Sequence, residues 1–287
     1  MKKVIIFLAL LLCLSSCGKK TFKYDTSNIN VLKDVSEEFD FEIHSNEYML
    51  VDITDFNILY AHNNDIRMYP ASLTKILTLN TVLALEPDLD NTSYVTSEQV
   101  EYLIGEDASL AYIRKDYEYT LRDLLYALML PSGADGALAL ENYFNSKGID
   151  LVEQMNIRAE QIGCKDSHFM NSTGLHDENH YTTLNDLYLI VMDTLTFEEG
   201  RRILETLVYY TEDYIKFNSS LRAVRNIRTE VLGGKTGYTT ESGQSIIVVF
   251  KHEGRSYLLF LGNAPGSHAD GNYYHFDDSL KIFYELY

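Results

Sequence analysis

The strongest constraint on the fold is where the strand-forming runs fall. Tyr48-Met49-Leu50-Val51-Asp52-Ile53 and Asn57-Ile58-Leu59-Tyr60-Ala61 flank Thr54-Asp55-Phe56 early in the chain. Ser245-Ile246-Ile247-Val248-Val249-Phe250 and Tyr257-Leu258-Leu259-Phe260-Leu261 flank Glu253-Gly254-Arg255 late in it. Short apolar, β-branched runs around turn residues predict hairpins. Between them the period changes to that of helices. A helix is predicted over 72–85, and another from a Thr120 cap to Leu130, with Leu121, Leu124, Leu125 and Leu128 on one stripe. Helices over 137–144 and 151–162 follow, then one opening at Thr183. A short closing helix over 279–287 turns its apolar side to the core. Hairpins at both ends with helices between them predict an α+β domain in three layers. Its antiparallel sheet is built from both termini, with flanking helices and a helical subdomain.

The first residues read as an address rather than as fold. Met1-Lys2-Lys3, the apolar run Val4–Leu14 and Ser15-Ser16-Cys17 form an export signal over 1–17. The run falls short of the ~20 residues of a membrane span. Leu14-Ser15-Ser16-Cys17 resembles the bacterial lipoprotein signal, which implies lipidation at Cys17 and a place on the extracytoplasmic face of the membrane. Plain secretion with cleavage nearby is the alternative. Residues 18–46 lack periodicity and are read as a polar tether, leaving 47–287 as one globular unit. Of three cysteines, only Cys164 would remain free, so the core must hold the domain without an internal disulfide. The net charge of −18 becomes −20 without Lys2 and Lys3, which argues against nucleic-acid partners and against a basic membrane-docking face.

Chemistry concentrates at Ser72-Leu73-Thr74-Lys75. Positions three apart share a helix face, so the Lys75 amine can reach the Ser72 hydroxyl and act as its base. Pro70 suits a helix start. Lys75 must be neutral for this, and lowering a lysine pKa by ~3 units takes ~4 kcal/mol. Burial and a second cation push in that direction, and Lys235 in Lys235-Thr236-Gly237 is the candidate cation. His176 and His180 lack the order of a zinc helix, with Asp177 where Glu is needed and Gly174 signalling a loop. No metal or cofactor is expected. The 22 tyrosines are read as structural.

Four blocks together resemble the penicillin-binding D-alanyl-D-alanine carboxypeptidases, serine peptidases that trim peptidoglycan stems. They are Pro70–Lys75, Leu124–Gly133, Phe169–Asp177 and Gly234–Thr239, and the likeness runs from about Tyr48 to Ala264. It implies a β-lactamase/transpeptidase-like fold, with Ser72, Lys75 and Ser132 catalytic. Ser132 would relay a proton between Lys75 and the leaving amine. Lys235, Thr236, Gly237 and Tyr238 would bind substrate, Lys235 and Thr236 holding its carboxylate. The backbone N–H groups of Ser72 and Tyr238 would form the oxyanion hole. Water would hydrolyse the acyl-serine, with a terminal D-alanine released. Stem peptides ending in D-Ala-D-Ala and β-lactams are the implied partners.

The chain departs from the family pattern at Ser132-Gly133-Ala134, where Ala134 replaces an asparagine that contacts the substrate backbone. Asp135 is expected to point elsewhere. The chain also ends before the extra β-rich domain and amphipathic anchor of many relatives, so the lipid is expected to serve as anchor. Two alternatives stand. A weakly active or non-catalytic envelope lipoprotein would bind peptidoglycan or β-lactams. A serine β-lactamase would need a deacylating glutamate, and Glu86-Pro87-Asp88-Leu89-Asp90 lies too early and lacks the asparagine of such an element.

Overall fold

A computed structural model describes residues 32–228, 230–267 and 271–286. The chain opens with β1 (Lys33–Glu37), β2 (Glu47–Asp52) and β3 (Asn57–His62), and a 3₁₀ turn, Ala71–Leu73, runs directly into α1 (Thr74–Leu85). A helical block follows: β4 (Thr92–Ser93), α2 (Ser97–Gly105), β5 (Tyr119–Thr120), α3 (Leu121–Met129), α4 (Ala134–Ser146), α5 (Leu151–Ile162), α6 (Leu184–Thr194) and α7 (Glu198–Leu204). The chain then forms the small hairpin β6 (Val208–Tyr210) and β7 (Lys216–Asn218), followed by α8 (Arg222–Ile227). It returns to the main sheet as β8 (Val231–Thr239), β9 (Gly243–His252) and β10 (Arg255–Ala264), and closes with α9 (Tyr274–Leu286).

The main sheet has the order β1-β3-β2-β10-β9-β8, so both ends of the chain meet at the β2–β10 pair. Its pairs are antiparallel except β1–β3. Continuous apolar runs such as Ile246–Phe250 follow from burial of both faces. Met49, Ile247, Val249, Leu258 and Phe260 pack into the helical block with Leu77 of α1 and Leu125 of α3. Leu50, Val248, Phe250 and Leu259 pack with Val224 of α8 and Ile282 and Phe283 of α9. Each such side chain contributes ~1.5–3 kcal/mol on full burial. The three-layer α+β reading is therefore what the chain adopts. The β9–β10 turn needs left-handed backbone at both central residues, and Glu253 and Gly254 have φ of 47° and 81°.

Caps read from the sequence are in place. The Thr120 hydroxyl accepts from the Asp123 N–H at 3.1 Å and opens α3, and Thr183 does the same for Asp186 N–H at 3.1 Å and α6. One boundary differs. Residues 33–46, read as tether, belong to the folded unit: Lys33 and Asp34 pair with Asn57 and Ile58 of β3. Phe39 stacks on Tyr48 and Tyr60 at 4.5 and 4.7 Å. The His44 and Ser45 N–H groups donate to Asp278 of α9. A few aromatics inside a polar, aperiodic stretch supply this anchoring, which periodicity cannot detect. The signal over 1–17 and Cys17 lie outside the described residues. No described helix is long and apolar enough to cross a membrane.

Candidate active site

The nucleophile candidate sits where the 3₁₀ turn meets α1. This helix is buried around its whole circumference from Thr74 to Val82, polar residues such as Lys75, Thr78 and Asn80 included, as befits a helix at the centre of a domain. Ser72 is half-buried at its mouth, and Ala71 before it takes a left-handed φ of 46°. Non-glycine residues persist there only when the surroundings hold them, and such strain clusters at working sites. The support is visible at Gly174, with φ 81°, where an added Cβ would lie 2.0 Å from the Ala71 carbonyl oxygen and 2.9 Å from the Ser72 nitrogen. On the other side Gly237 lets β8 close onto the turn, since a Cβ there would meet the Pro70 carbonyl at 3.0 Å.

Lys75 Nζ lies 3.0 Å from Ser72 Oγ and also donates to the Thr173 carbonyl. The loop carrying that carbonyl is firmly built. Asn171 Oδ1 accepts from the N–H groups of Thr173 and Gly174 at 3.2 and 2.7 Å. The Ser172 carbonyl accepts from Thr78 of α1 at 2.8 Å, and the Ser172 hydroxyl donates to the half-buried carboxylate of Glu141. Opposite, Lys235 Nζ donates to Ser132 Oγ at 2.8 Å and to the Thr236 carbonyl at 2.7 Å. The Thr236 hydroxyl donates to Ser220 Oγ at 2.8 Å. Ser132, with φ 64°, is buried, as are both lysines. Tyr238 is half-buried, three residues beyond Lys235 on the edge strand β8.

Electrostatics sharpen this picture and correct part of it. Burial lowers the Lys75 amine to about 7, and the charge of Asp135 opposes that shift. Lys235 was expected to stay charged and depress its partner. Instead burial, followed by the charge of Lys75, lowers Lys235 well below the usual lysine value. The reason is that its neighbours are hydroxyls and a carbonyl, and among the described residues no carboxylate pairs with it. The charge of Lys75 disfavours a proton on Lys235, so the two buried amines titrate as a pair rather than independently. Ser132 likewise bonds to Lys235 rather than to Lys75.

The Asp135 carboxylate is engaged by backbone N–H groups rather than by a lysine, although its charge reaches Lys75. Its carboxylate accepts from the N–H groups of Ala111, Ile113 and Gly136 at 2.8, 3.1 and 3.1 Å. Ala134 is buried at the start of α4, and its N–H donates to the Ser109 carbonyl at 2.8 Å. Position 134 thus offers no side-chain amide. His180 is buried against α1, with Nε2 2.8 Å from the Thr74 hydroxyl, and burial lowers it to about 4. Cys164 is half-buried against the core, its thiol pushed up to about 12 by burial. Thr173, Asn171, Ser172, Glu141 and Ser220 were not assigned roles from the sequence, although 169–177 was singled out as a block.

A serine, a lysine of lowered pKa beside it and a second lysine facing both define a nucleophilic acyl-transfer site of the Ser-x-x-Lys kind. The chain belongs to the D-alanyl-D-alanine carboxypeptidase family, peptidase S11, which matches residues 33–261. It is 31% identical over 221 residues to the D-alanyl-D-alanine carboxypeptidase DacA of Haemophilus influenzae, covering 72% of this chain and 53% of that one. It is 28% identical over 204 residues to DacF of Bacillus subtilis, covering 68% and 51%. The chain thus spans about half the length of these relatives. The crystal structure of the Streptomyces K15 DD-transpeptidase superposes with a TM-score of 0.76 at 22% identity, over 86% of this chain and 98% of that one, which shows the shared fold.

Proposed function

We propose that the protein is a serine-type D-Ala-D-Ala carboxypeptidase that removes the terminal D-alanine from peptidoglycan stem peptides. The observation that carries this is the Lys75 amine, 3.0 Å from Ser72 Oγ and lowered to about 7 by burial. At neutral pH a large fraction of it is free base. It takes the Ser72 proton as Oγ attacks the carbonyl of the penultimate D-alanine. The N–H groups of Ser72 and Tyr238 receive the oxyanion. The Ser132 hydroxyl gives a proton to the departing D-alanine nitrogen and recovers one from the lysine pair. Water then attacks the acyl-serine and frees both the shortened peptide and Ser72.

Substrate sets the state of the pair. The terminal carboxylate docks against Lys235 and the Thr236 hydroxyl. A carboxylate within ~4 Å raises the pKa of an amine, so docking favours the charged form of Lys235. β-Lactams, whose strained amide offers the same carbonyl and carboxylate, acylate Ser72 as inhibitors.

A β-lactamase is disfavoured by the position of Glu86. It caps the far end of α1, roughly 20 Å along the helix from Ser72, and its carboxylate is engaged by Tyr143 and Lys147. The export signal and Cys17 support a lipoprotein on the extracytoplasmic face of the membrane. The test is D-alanine release from a peptide ending in Lys-D-Ala-D-Ala. Multiple turnovers are expected, and Ser72→Ala should abolish them. A stable penicillin adduct without D-alanine release would favour a binding protein, and rapid penicillin hydrolysis a β-lactamase.

A further inference from the structure

Beyond the end of β8 lies a second cleft, of about 420 Å³, that the chemistry above does not use. Its floor is Glu47, the first residue of β2, which is 5% exposed. Asn263 donates to Glu47 Oε1 at 3.3 Å. The other carboxylate oxygen, Oε2, is buried and has no hydrogen-bond partner among the described residues. Room for it exists because position 262 is glycine, where a Cβ would lie 2.6 Å from Oε2. An orphaned carboxylate oxygen costs desolvation energy without return unless something else meets it.

The walls indicate what that is. Met68, Tyr69 and Tyr181 give the cleft apolar and aromatic sides, and the exposed Glu178 and Glu241 stand at its mouth. The one cation among the described lining residues, Arg67, is already committed, 2.9 Å from Asp166 and 4.3 Å above the Tyr181 ring. Three carboxyl groups with two tyrosines form a site for a cation carried on an aliphatic stem. No group of three His, Cys, Asp or Glu side chains among the described residues is arranged to hold a metal.

The direction of β8 connects this cleft to Ser72. Lys235 and Thr236 take the substrate's terminal carboxylate and Tyr238 its reactive carbonyl, so preceding residues run on past Thr239. There the turn is fixed by Thr239 N–H donating to Ser242 Oγ at 2.8 Å, and Ser242 and Glu241 border the cleft. An extended peptide advances ~3.3 Å per residue, so the third residue from its C-terminus would follow Tyr238 toward the turn that borders the cleft. We propose that the Glu47 cleft is a subsite for the side-chain ammonium group of the third stem residue, so that the protein selects stems with a free amine there. This rests on reading the Ser72 cleft as a stem-peptide site.

The test measures binding apart from turnover. Full-length protein carrying Ser72→Ala is titrated calorimetrically with two peptides ending in Lys-D-Ala-D-Ala, one with a free ε-amine and one ε-acetylated. The free amine should bind about tenfold tighter, ~1.4 kcal/mol. Glu47→Gln should remove the difference. Should that variant fail to fold, the exposed pair Glu178→Gln and Glu241→Gln should reduce it. Equal affinities, or binding of neither peptide, overturn the subsite even if wild-type protein releases D-alanine. Preference for the free amine without any D-alanine release would instead uphold the subsite and refute the peptidase reading.

Discussion

Gly174→Ala puts the support beneath the nucleophile under direct stress. The new Cβ would stand 2.0 Å from the Ala71 carbonyl oxygen and 2.5 Å from its carbon. An ordinary carbon–oxygen contact needs about 3.2–3.4 Å, so the 71–72 backbone or the 173–174 loop must retreat by more than about 1 Å. Both carry working groups, Ser72 on one side and the Thr173 carbonyl that accepts from Lys75 on the other. A displacement of about 1 Å costs on the order of 10²-fold in rate. The left-handed φ of 81° adds about 1–2 kcal/mol of strain for alanine. Acylation of Ser72 by a fluorescent penicillin, followed by stopped flow, should therefore slow by about 10²-fold, with a fall in Tm. Gly105→Ala is the control: it ends α2 with nothing within 4 Å of an added Cβ and should acylate at the wild-type rate. Normal acylation by Gly174→Ala would refute the claim that this packing sets the nucleophile.

Other consequences are open to the same assay. Acylation should rise with pH through about 7 as Lys75 loses its proton, and a profile flat across that range would remove it as the base. The unfolded chain keeps that lysine's proton up to its ordinary 10.5, so stability from this group should grow between about pH 7 and 10.5; Lys75→Met should flatten that part of a denaturant-midpoint curve. Asp135→Asn removes a charge that raises Lys75, so the acylation limb should move to lower pH, and a move upward would contradict the assignment. Ala134→Asn should raise acylation about tenfold, the ~1–1.5 kcal/mol of one hydrogen bond to the substrate backbone, measured as the second-order rate constant.

Much of this molecule was legible in its sequence, for definite reasons. Strands buried on both faces must be apolar throughout, so β9 and β10 announced themselves. Thr120 and Thr183 are side-chain caps whose chemistry is local. Ser72 and Lys75 were found because both lie within one helical turn. What escaped depends on distance in the chain. Lys75 meets Thr173 across 98 residues, and Ser132 meets Lys235 across 103, so no spacing rule could show which serine belonged to which lysine. The lowering of Lys235 turns on burial without a carboxylate partner among the described residues, a tertiary property. Helix α2 buries only Leu103 and so leaves little apolar stripe, although its capping box, Thr96 with Gln99, is a local signal that could have marked it. β1 is held by packing of Phe39 and by pairing with β3, neither of which has a sequence period.

The central claim is that Ser72 is the nucleophile and Lys75 its base. It is tested most directly by incubating the protein with penicillin at neutral pH, digesting it, and locating the covalent adduct by mass spectrometry. One adduct is expected, on the peptide containing Ser72, absent from Ser72→Ala and formed far more slowly by Lys75→Ala. An adduct on another residue, or an undiminished rate in Lys75→Ala, would contradict it.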